Sequence, residues 1–331
     1  MIQTLYIERE ILDHPRVDSI QRRFPDAAVV TCERYGEVFN PKGQNFRLQK
    51  QQPALILARK HDNFVLDAPL SYNIGGKRNY YFSHMLNCIY DCRYCFLQGM
   101  YRSANYVLFV NYDDFDTAIE QTSASADEPA WFFSGYDCDS LALEPVTGFM
   151  AHTLPLFRRL DNAYLELRTK STQIRGLLEM EALQNCVVAF SLSPDALTNA
   201  LEHKAPPLAK RLDALEKLQR AGWPVGLRFD PIIYCDDYRQ LYDDFFAQVF
   251  TRIDQERLHS VSLGAFRMPQ GFYRNMVKLY PQEKLFAGPL TESQPMVGYE
   301  TELEQAMLAF CREKLLQLMP EEKLFICHDD S

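Results

Sequence analysis

The stretch PPLAKRLDALEKLQRAGWPVGLRF, residues 206–229, joins a helix to a strand. Leu208, Leu212, Leu215 and Leu218 recur at helical spacing on one face. Pro206-Pro207 precede the first turn, and Gly222 with Pro224 just beyond supplies the stop. Val225 to Phe229 then reads as a strand with no room for a hairpin before it. Working outward, Trp131 to Phe133, Tyr164 to Leu167, Val187 to Leu192 and Ser260 to Leu263 are further short apolar runs, with helix-like segments between them. A possible strand around Tyr80 to Phe82 opens the series. Repeated strand–helix alternation predicts parallel strands, in an open α/β sheet or a full or partial barrel. In both, ligands gather at the carboxyl ends of the strands.

The 331 residues suffice for one large α/β domain with additions at its ends. With 47% hydrophobic and 24% charged residues, the composition is that of an ordinary globular protein. Met1 to Asp13 lacks a basic region followed by an apolar run, and no stretch approaches the length that spans a bilayer, so a cytoplasmic location and no membrane partner are expected. The net charge of −9 argues against coating duplex nucleic acid by bulk attraction. Local basic surface remains available, as at Arg22-Arg23, Arg158-Arg159 and Arg267 to Arg274.

Nine cysteines are unevenly spread, with Cys88, Cys92 and Cys95 inside eight positions and six others scattered, a pattern of a metal site in a reducing compartment. The trio is spaced C-x3-C-x2-C. Three thiolates can hold three irons of a cubane, leaving the fourth iron open to an exogenous ligand. This spacing, with an aromatic residue (Tyr94) before the last cysteine, is similar to the signature of radical S-adenosylmethionine enzymes. In those enzymes the cofactor's amino and carboxylate groups fill the open iron, and an electron from the [4Fe–4S] cluster cleaves the cofactor to a 5′-deoxyadenosyl radical. The competing reading is structural zinc, which prefers two ligand pairs. No second pair is evident, although Cys327-His328 could join by coincidence of folding.

Almost the whole chain resembles the spore photoproduct lyase family, radical enzymes that reverse a thymine dimer in spore DNA. The likeness begins at Leu5-Tyr6-Ile7-Glu8-Arg9 and continues through Tyr94-Cys95-Phe96-Leu97-Gln98. Cys138 to Gly148, Leu167 to Lys170, Phe190 to Ser193, Glu202-His203, Pro224 to Gly226 and Asp230 to Tyr234 follow in family order. The resemblance implies a partial (β/α)6 barrel with N- and C-terminal additions: an extension over 1–75, the barrel over 76–265 and a substrate-facing region over 266–331. It implies that Lys170 and Ser191 contact the methionine end of S-adenosylmethionine, with Tyr94, Ser134 and Gly135 nearby. Cys138, in Cys138-Asp139-Ser140, matches the family's hydrogen-donating cysteine, and Arg267, in Phe266-Arg267-Met268-Pro269, falls in its DNA-facing region.

One departure stands out. The family's relay tyrosine after the third cluster cysteine is Phe96 here, which has no O–H to give. Tyr94 matches a second family tyrosine and shortens the relay if it reaches the Cys138 thiol; Tyr136 is the other candidate. His84 reads as a packed or capping residue, and Asp113, Asp114 and Asp116 as a solvated helix start. Three functions follow. The first is a radical lyase acting on a nucleobase lesion in DNA, served by a flavodoxin- or ferredoxin-type reductant. The second is the same chemistry on another modified nucleotide, a metabolite or a protein side chain. The third is a non-enzymatic iron–sulfur protein.

Overall fold

The computed structural model describes residues 2–39, 42–69 and 72–327. Six parallel strands follow one another in chain order across a single curled sheet: β1 (Arg78–Phe82), β2 (Ala130–Ser134), β3 (Ala163–Thr169), β4 (Cys186–Ser191), β5 (Val225–Ile232) and β6 (Leu258–Ala265). Leu66–Asp67 adds an antiparallel edge beside β1, and Leu324–Ile326 a parallel edge beside β6. This is the partial (β/α)6 barrel expected from strand–helix alternation. Each predicted strand lies within the observed one or overruns it by a single residue.

The helix between β4 and β5 spans Leu208–Arg220. Its four predicted leucines are all fully buried, and Gly222 closes it at φ +87°, a left-handed conformation that other residues adopt at a cost. Trp223, also buried, donates from its indole nitrogen to the Leu177 carbonyl at 3.1 Å and pins the turn into β5. β2, β4 and β6 are buried along nearly their whole length, as strands covered on both faces must be, while β1, near the sheet edge, is buried only at Phe82.

A second sheet lies at the N-terminal side, with strands Ala28–Cys32, Thr4–Glu8, Leu55–Ala58 and Tyr106–Phe109 parallel in that spatial order and Met85–Leu86 antiparallel at the end. Two of its strands come from the segment between β1 and β2, which also carries the three clustered cysteines. The loop that holds those cysteines is therefore tied to both sheets. Past β6, Arg267–Pro269, Leu290–Ser293 and Met296–Tyr299 form a small antiparallel sheet beside the barrel mouth. Among the described residues no helix is long and apolar enough to cross a membrane.

Candidate active site

At the carboxyl ends of β1 to β5 lies a cavity of about 630 Å³. It is lined by Cys88, Cys92, Cys95, Tyr94, Gly135, Cys138, Lys170, Ser191 and Arg267, so nine of the ten site residues singled out in the sequence meet there. Ser134, the tenth, is fully buried just beneath: its hydroxyl meets Ser140 Oγ at 2.8 Å and donates to the Glu166 carbonyl at 3.1 Å. Parallel strands ending at one rim bring together residues that are 179 positions apart in the chain (Cys88 to Arg267).

The cysteine loop is built from short-range contacts. Asn87 takes the left-handed conformation (φ +72°), accepts from the Cys88 amide at 2.9 Å, and donates to the Ser103 and Asn105 carbonyls at 3.0 Å each. The Cys92 backbone pairs with Glu202 as a two-residue antiparallel strand. Gln98 donates to the Cys92 carbonyl at 2.7 Å. Among the described residues, the one set of three potential ligands with all donor atoms within 4.8 Å of one another is Asp113, Asp116 and His152; the three cysteines are spread more widely. A single zinc draws its thiolates to about 3.8 Å apart, as its bond length of about 2.3 Å and tetrahedral angles require. The wider spacing suits a cubane, whose cysteines bind different irons. The donor set thus fits a [4Fe–4S] cluster, which Cys88, Cys92 and Cys95 would hold. His328, the chance zinc partner, lies outside the described residues.

Tyr94 is buried, and its hydroxyl donates to Glu202. Glu202 also takes the Arg211 guanidinium, and both of these side chains are fully buried. Burial opposes the charge of Glu202, but Lys170 and Arg211 hold its carboxyl below the usual range. Burial likewise opposes the Lys170 ammonium, and Glu202 offsets it. Lys170 sits 5.4 Å above the Tyr94 ring, a half-buried cation on the cavity wall that suits the carboxylate of S-adenosylmethionine. The Tyr94 O–H that the sequence offered as a relay is thus committed to a carboxylate.

Cys138 follows Gly135, whose φ of +90° turns the chain out of β2; a Cβ there would come within 2.7 Å of Ser140 Oγ and 2.9 Å of the Arg168 carbonyl. The next carboxylate locks the loop. Asp139 accepts from Thr169 Oγ1 at 2.6 Å, the Lys170 amide at 2.6 Å, and the Leu141 and Ala142 amides at 3.0 and 2.9 Å. Asp137 accepts from Ser83 Oγ at 2.5 Å and Tyr101 Oη at 3.2 Å. Burial, with a carboxylate on either side, holds the Cys138 thiol well above its ordinary range. It stays S–H, the form that donates a hydrogen atom.

The remaining wall is aromatic. Tyr136 contacts Tyr81, Phe96 and Tyr72 at ring-centroid separations of 4.6, 5.6 and 5.7 Å, and Phe96 stacks on Phe272 at 6.4 Å. Arg168 lies 4.1 Å over Tyr72. Arg267 donates to the Cys327 and Ala265 carbonyls at 3.3 and 3.4 Å, which fixes it at the wall.

Asp139, Glu202, Arg211 and Gln98 were missed as functional residues in the sequence. Asp139 and Glu202 stand inside family-like segments, but only contact with Lys170 and Tyr94 reveals what they do. Neither His84 nor the Asp113 group joins the site. His84 stacks on Phe149 at 3.9 Å, and burial lowers its pKa to about 3; it is packed, not capping. Asp113 and Asp114 occupy the first turn of Tyr112–Ser125.

Fold, cysteine loop and cavity together define a radical S-adenosylmethionine enzyme. The family model for spore photoproduct lyase matches residues 1–292, and the chain belongs to the spore photoproduct lyase family. Spore photoproduct lyase of Bacillus subtilis (strain 168) is 25% identical over 293 residues, covering 86% of this chain and 83% of the relative. A spore photoproduct lyase variant solved with bound AdoMet and dinucleoside spore photoproduct superposes with a TM-score of 0.85 at 17% identity, over 99% of this chain and 98% of that one. Spore photoproduct lyase complexed with dinucleoside spore photoproduct gives 0.84 at 17% identity over the same shares. At these identities the structural likeness establishes the fold.

Proposed function

We propose that the chain is a lyase that reverses a nucleobase lesion of the pyrimidine-dimer type in DNA, working in the cytoplasm with a flavodoxin- or ferredoxin-type reductant. The observation that carries this is the shared cavity: three cluster thiols, the Cys138 thiol and an aromatic wall border one space. The relatives solved with dinucleoside spore photoproduct support the choice of lesion. Residues 76–265 supply the barrel, 1–75 an extension packed on it, and 266–331 the substrate-facing side.

Cys88, Cys92 and Cys95 hold the cluster. Lys170 and Ser191 take the methionine end of S-adenosylmethionine, Gly135 and Tyr94 border it, and Ser134 supports it from beneath through Ser140. When bound, cluster and cofactor supply a carbon-centred radical that removes a hydrogen atom from the substrate. Tyr136, Phe96 and Phe272 stack the extruded bases and exclude water, and damage lowers the cost of extrusion. Arg267 pairs with a phosphate at the rim. Cys138 then gives its hydrogen atom to the product radical.

Phe96 favours a second reading within the same chemistry, a different modified nucleotide, because the family's relay hydroxyl is missing at that position. Anaerobic reconstitution followed by incubation with S-adenosylmethionine, dithionite and dinucleoside spore photoproduct distinguishes the two. The first reading expects monomeric thymidine as the product. Cofactor cleavage at an ordinary rate with the dinucleoside left intact would sink it in favour of the second.

A further inference from the structure

The chain is acidic overall, yet from Val38 to His61 it contains five Lys and Arg residues and no Asp or Glu. Part of this run is the helix Phe46–Gln51, which packs behind the cysteine loop. Its Lys50 makes an ion pair with Asp91 at 3.0 Å, next to Cys92, and Arg93 pairs with the same carboxylate. These two neutralise Asp91 at the base of the patch, and Arg93 also meets Glu283 at 3.6 Å. The outward charge comes from Arg47, Lys204 and Lys278, all exposed and none with an acidic partner among the described residues. Beside Arg47, on the same helix, Leu48 is 63% exposed, the most exposed large hydrophobic residue of those described. An exposed apolar side chain beside uncompensated positive charge suits a transient protein-docking site, where the charge steers encounter and the apolar contact holds it.

Resting on the radical chemistry proposed above, we propose that this face is the docking surface for a small acidic protein that donates one electron. The step is a pure electron transfer: the donor is oxidised by one electron, the cluster is reduced by one, and no bond forms or breaks. The wiring is short. Lys50 Nζ donates to Gln98 Oε1 at 2.7 Å, and Gln98 Nε2 donates to the Cys92 carbonyl at 2.7 Å, so two hydrogen bonds link the surface to the backbone of a cluster ligand. Tyr280 Oη, beneath the Arg93 guanidinium, closes on the same Gln98 oxygen at 2.6 Å. Nucleic acid is the other polyanion such a patch could attract. It is disfavoured because none of Arg47, Leu48, Lys50, Arg93, Lys204 and Lys278 lines the cavity, whereas Arg168, Lys170 and Arg267 do. An exposed leucine also gains nothing from a phosphate.

The test uses the reconstituted holoenzyme, with cofactor cleavage driven either by dithionite or by a reduced bacterial flavodoxin. The variants are the Arg47→Glu/Lys204→Glu pair and Leu48→Ala, and flavodoxin binding is measured in parallel by surface plasmon resonance. Flavodoxin-driven cleavage by the charge-reversed pair is expected to fall at least about tenfold, with its salt dependence flattened and flavodoxin affinity reduced in proportion. Leu48→Ala is expected to shorten the complex's lifetime, and dithionite-driven cleavage to stay at the wild-type rate, which also shows that the variants fold. Unchanged flavodoxin binding and flavodoxin-driven cleavage in both variants overturn the inference. So does weakened binding of lesion-bearing DNA with flavodoxin binding intact, which assigns the patch to nucleic acid. A wild-type enzyme that cleaves no cofactor even with dithionite overturns the radical chemistry instead, while the binding comparison still decides the docking surface.

Discussion

One buried carboxylate in the sheet and a pair in the loop above it are held in opposite ways. In the sheet, Glu166 is clamped by guanidiniums: Arg228 Nη2 at 2.7 Å and Arg168 Nε at 3.0 Å, with Arg228 also donating to Ser260 Oγ at 3.0 Å. Burial opposes its charge, but Arg228 and Arg168 bring its pKa down to about 2. In the loop above, Asp137 and Asp139 make no ion pair among the described residues and are held by hydroxyls and backbone amides; burial raises both. Ser134 joins the layers through Ser140 Oγ and the Glu166 carbonyl. The sheet layer is an ionic clamp that stays charged over the working pH range, and the loop layer is a hydrogen-bonded cradle that keeps Cys138 protonated. Rigidity is supplied where the strands need it, and buried, acidic surroundings where the Cys138 thiol stays protonated.

The contrast can be broken most severely from below. Arg228→Ala leaves Glu166 buried beside a single guanidinium and is expected to lower unfolding free energy by about 3–5 kcal/mol, read by urea denaturation. A loss under about 1 kcal/mol would mean that the clamp does not support the sheet. Asp139→Ala removes the acceptor for Thr169 and three amides and is expected to cost about 1–3 kcal/mol. It should also shift the lesion products toward those of Cys138→Ala, since the thiol is no longer placed by β3.

Cys138→Ala itself is expected to change stability by about 1 kcal/mol or less. Cofactor cleavage and the first hydrogen abstraction should proceed, with the substrate radical diverted to abortive products identified by mass spectrometry. Normal products would remove Cys138 as the donor.

Glu166 and a carboxylate outside both layers, Glu144, also respond to pH with opposite sign. Glu166, depressed to about 2 from an ordinary 4.5, contributes stability that is present above pH 4.5 and lost as pH falls toward 2. Glu144, in the helical turn after the Cys138 loop, is raised by burial to about 7, so stability should decline as pH rises from 4.5 to 7. Glu144→Gln is expected to flatten that decline, and an unchanged urea-midpoint profile between pH 5 and 8 would contradict it. The smallest effect concerns Phe96→Tyr. It adds one hydroxyl to a half-buried ring, should leave stability within about 0.5 kcal/mol, and should speed hydrogen return only if a relay passes that position.

Much of the barrel was legible because its signals are local. Leu208, Leu212, Leu215 and Leu218 mark one helix face, and Val225 to Phe229 marks the next strand, whatever surrounds them. The edge strand Leu324–Ile326 and the second sheet were not legible. Such short strands carry little periodicity of their own: Tyr106–Phe109 is a strand because Leu55–Ala58 lies where it can pair, and Met85–Leu86 because it pairs with the other edge of Tyr106–Phe109.

The sequence by itself determined the cluster loop, since C-x3-C-x2-C places three thiols within one turn-rich segment whatever the rest of the chain does. It also determined the series of strands whose carboxyl ends had to hold the site. The tertiary structure alone decided how the site residues are used. Tyr94 meets Glu202 across 108 positions and Glu166 meets Arg228 across 62. Asp139 locks onto Lys170, 31 positions away, and Lys50 reaches Gln98 across 48. A side chain's protonation and hydrogen-bond role depend on what is packed against it at a few ångströms, and in a barrel those neighbours come from other strands.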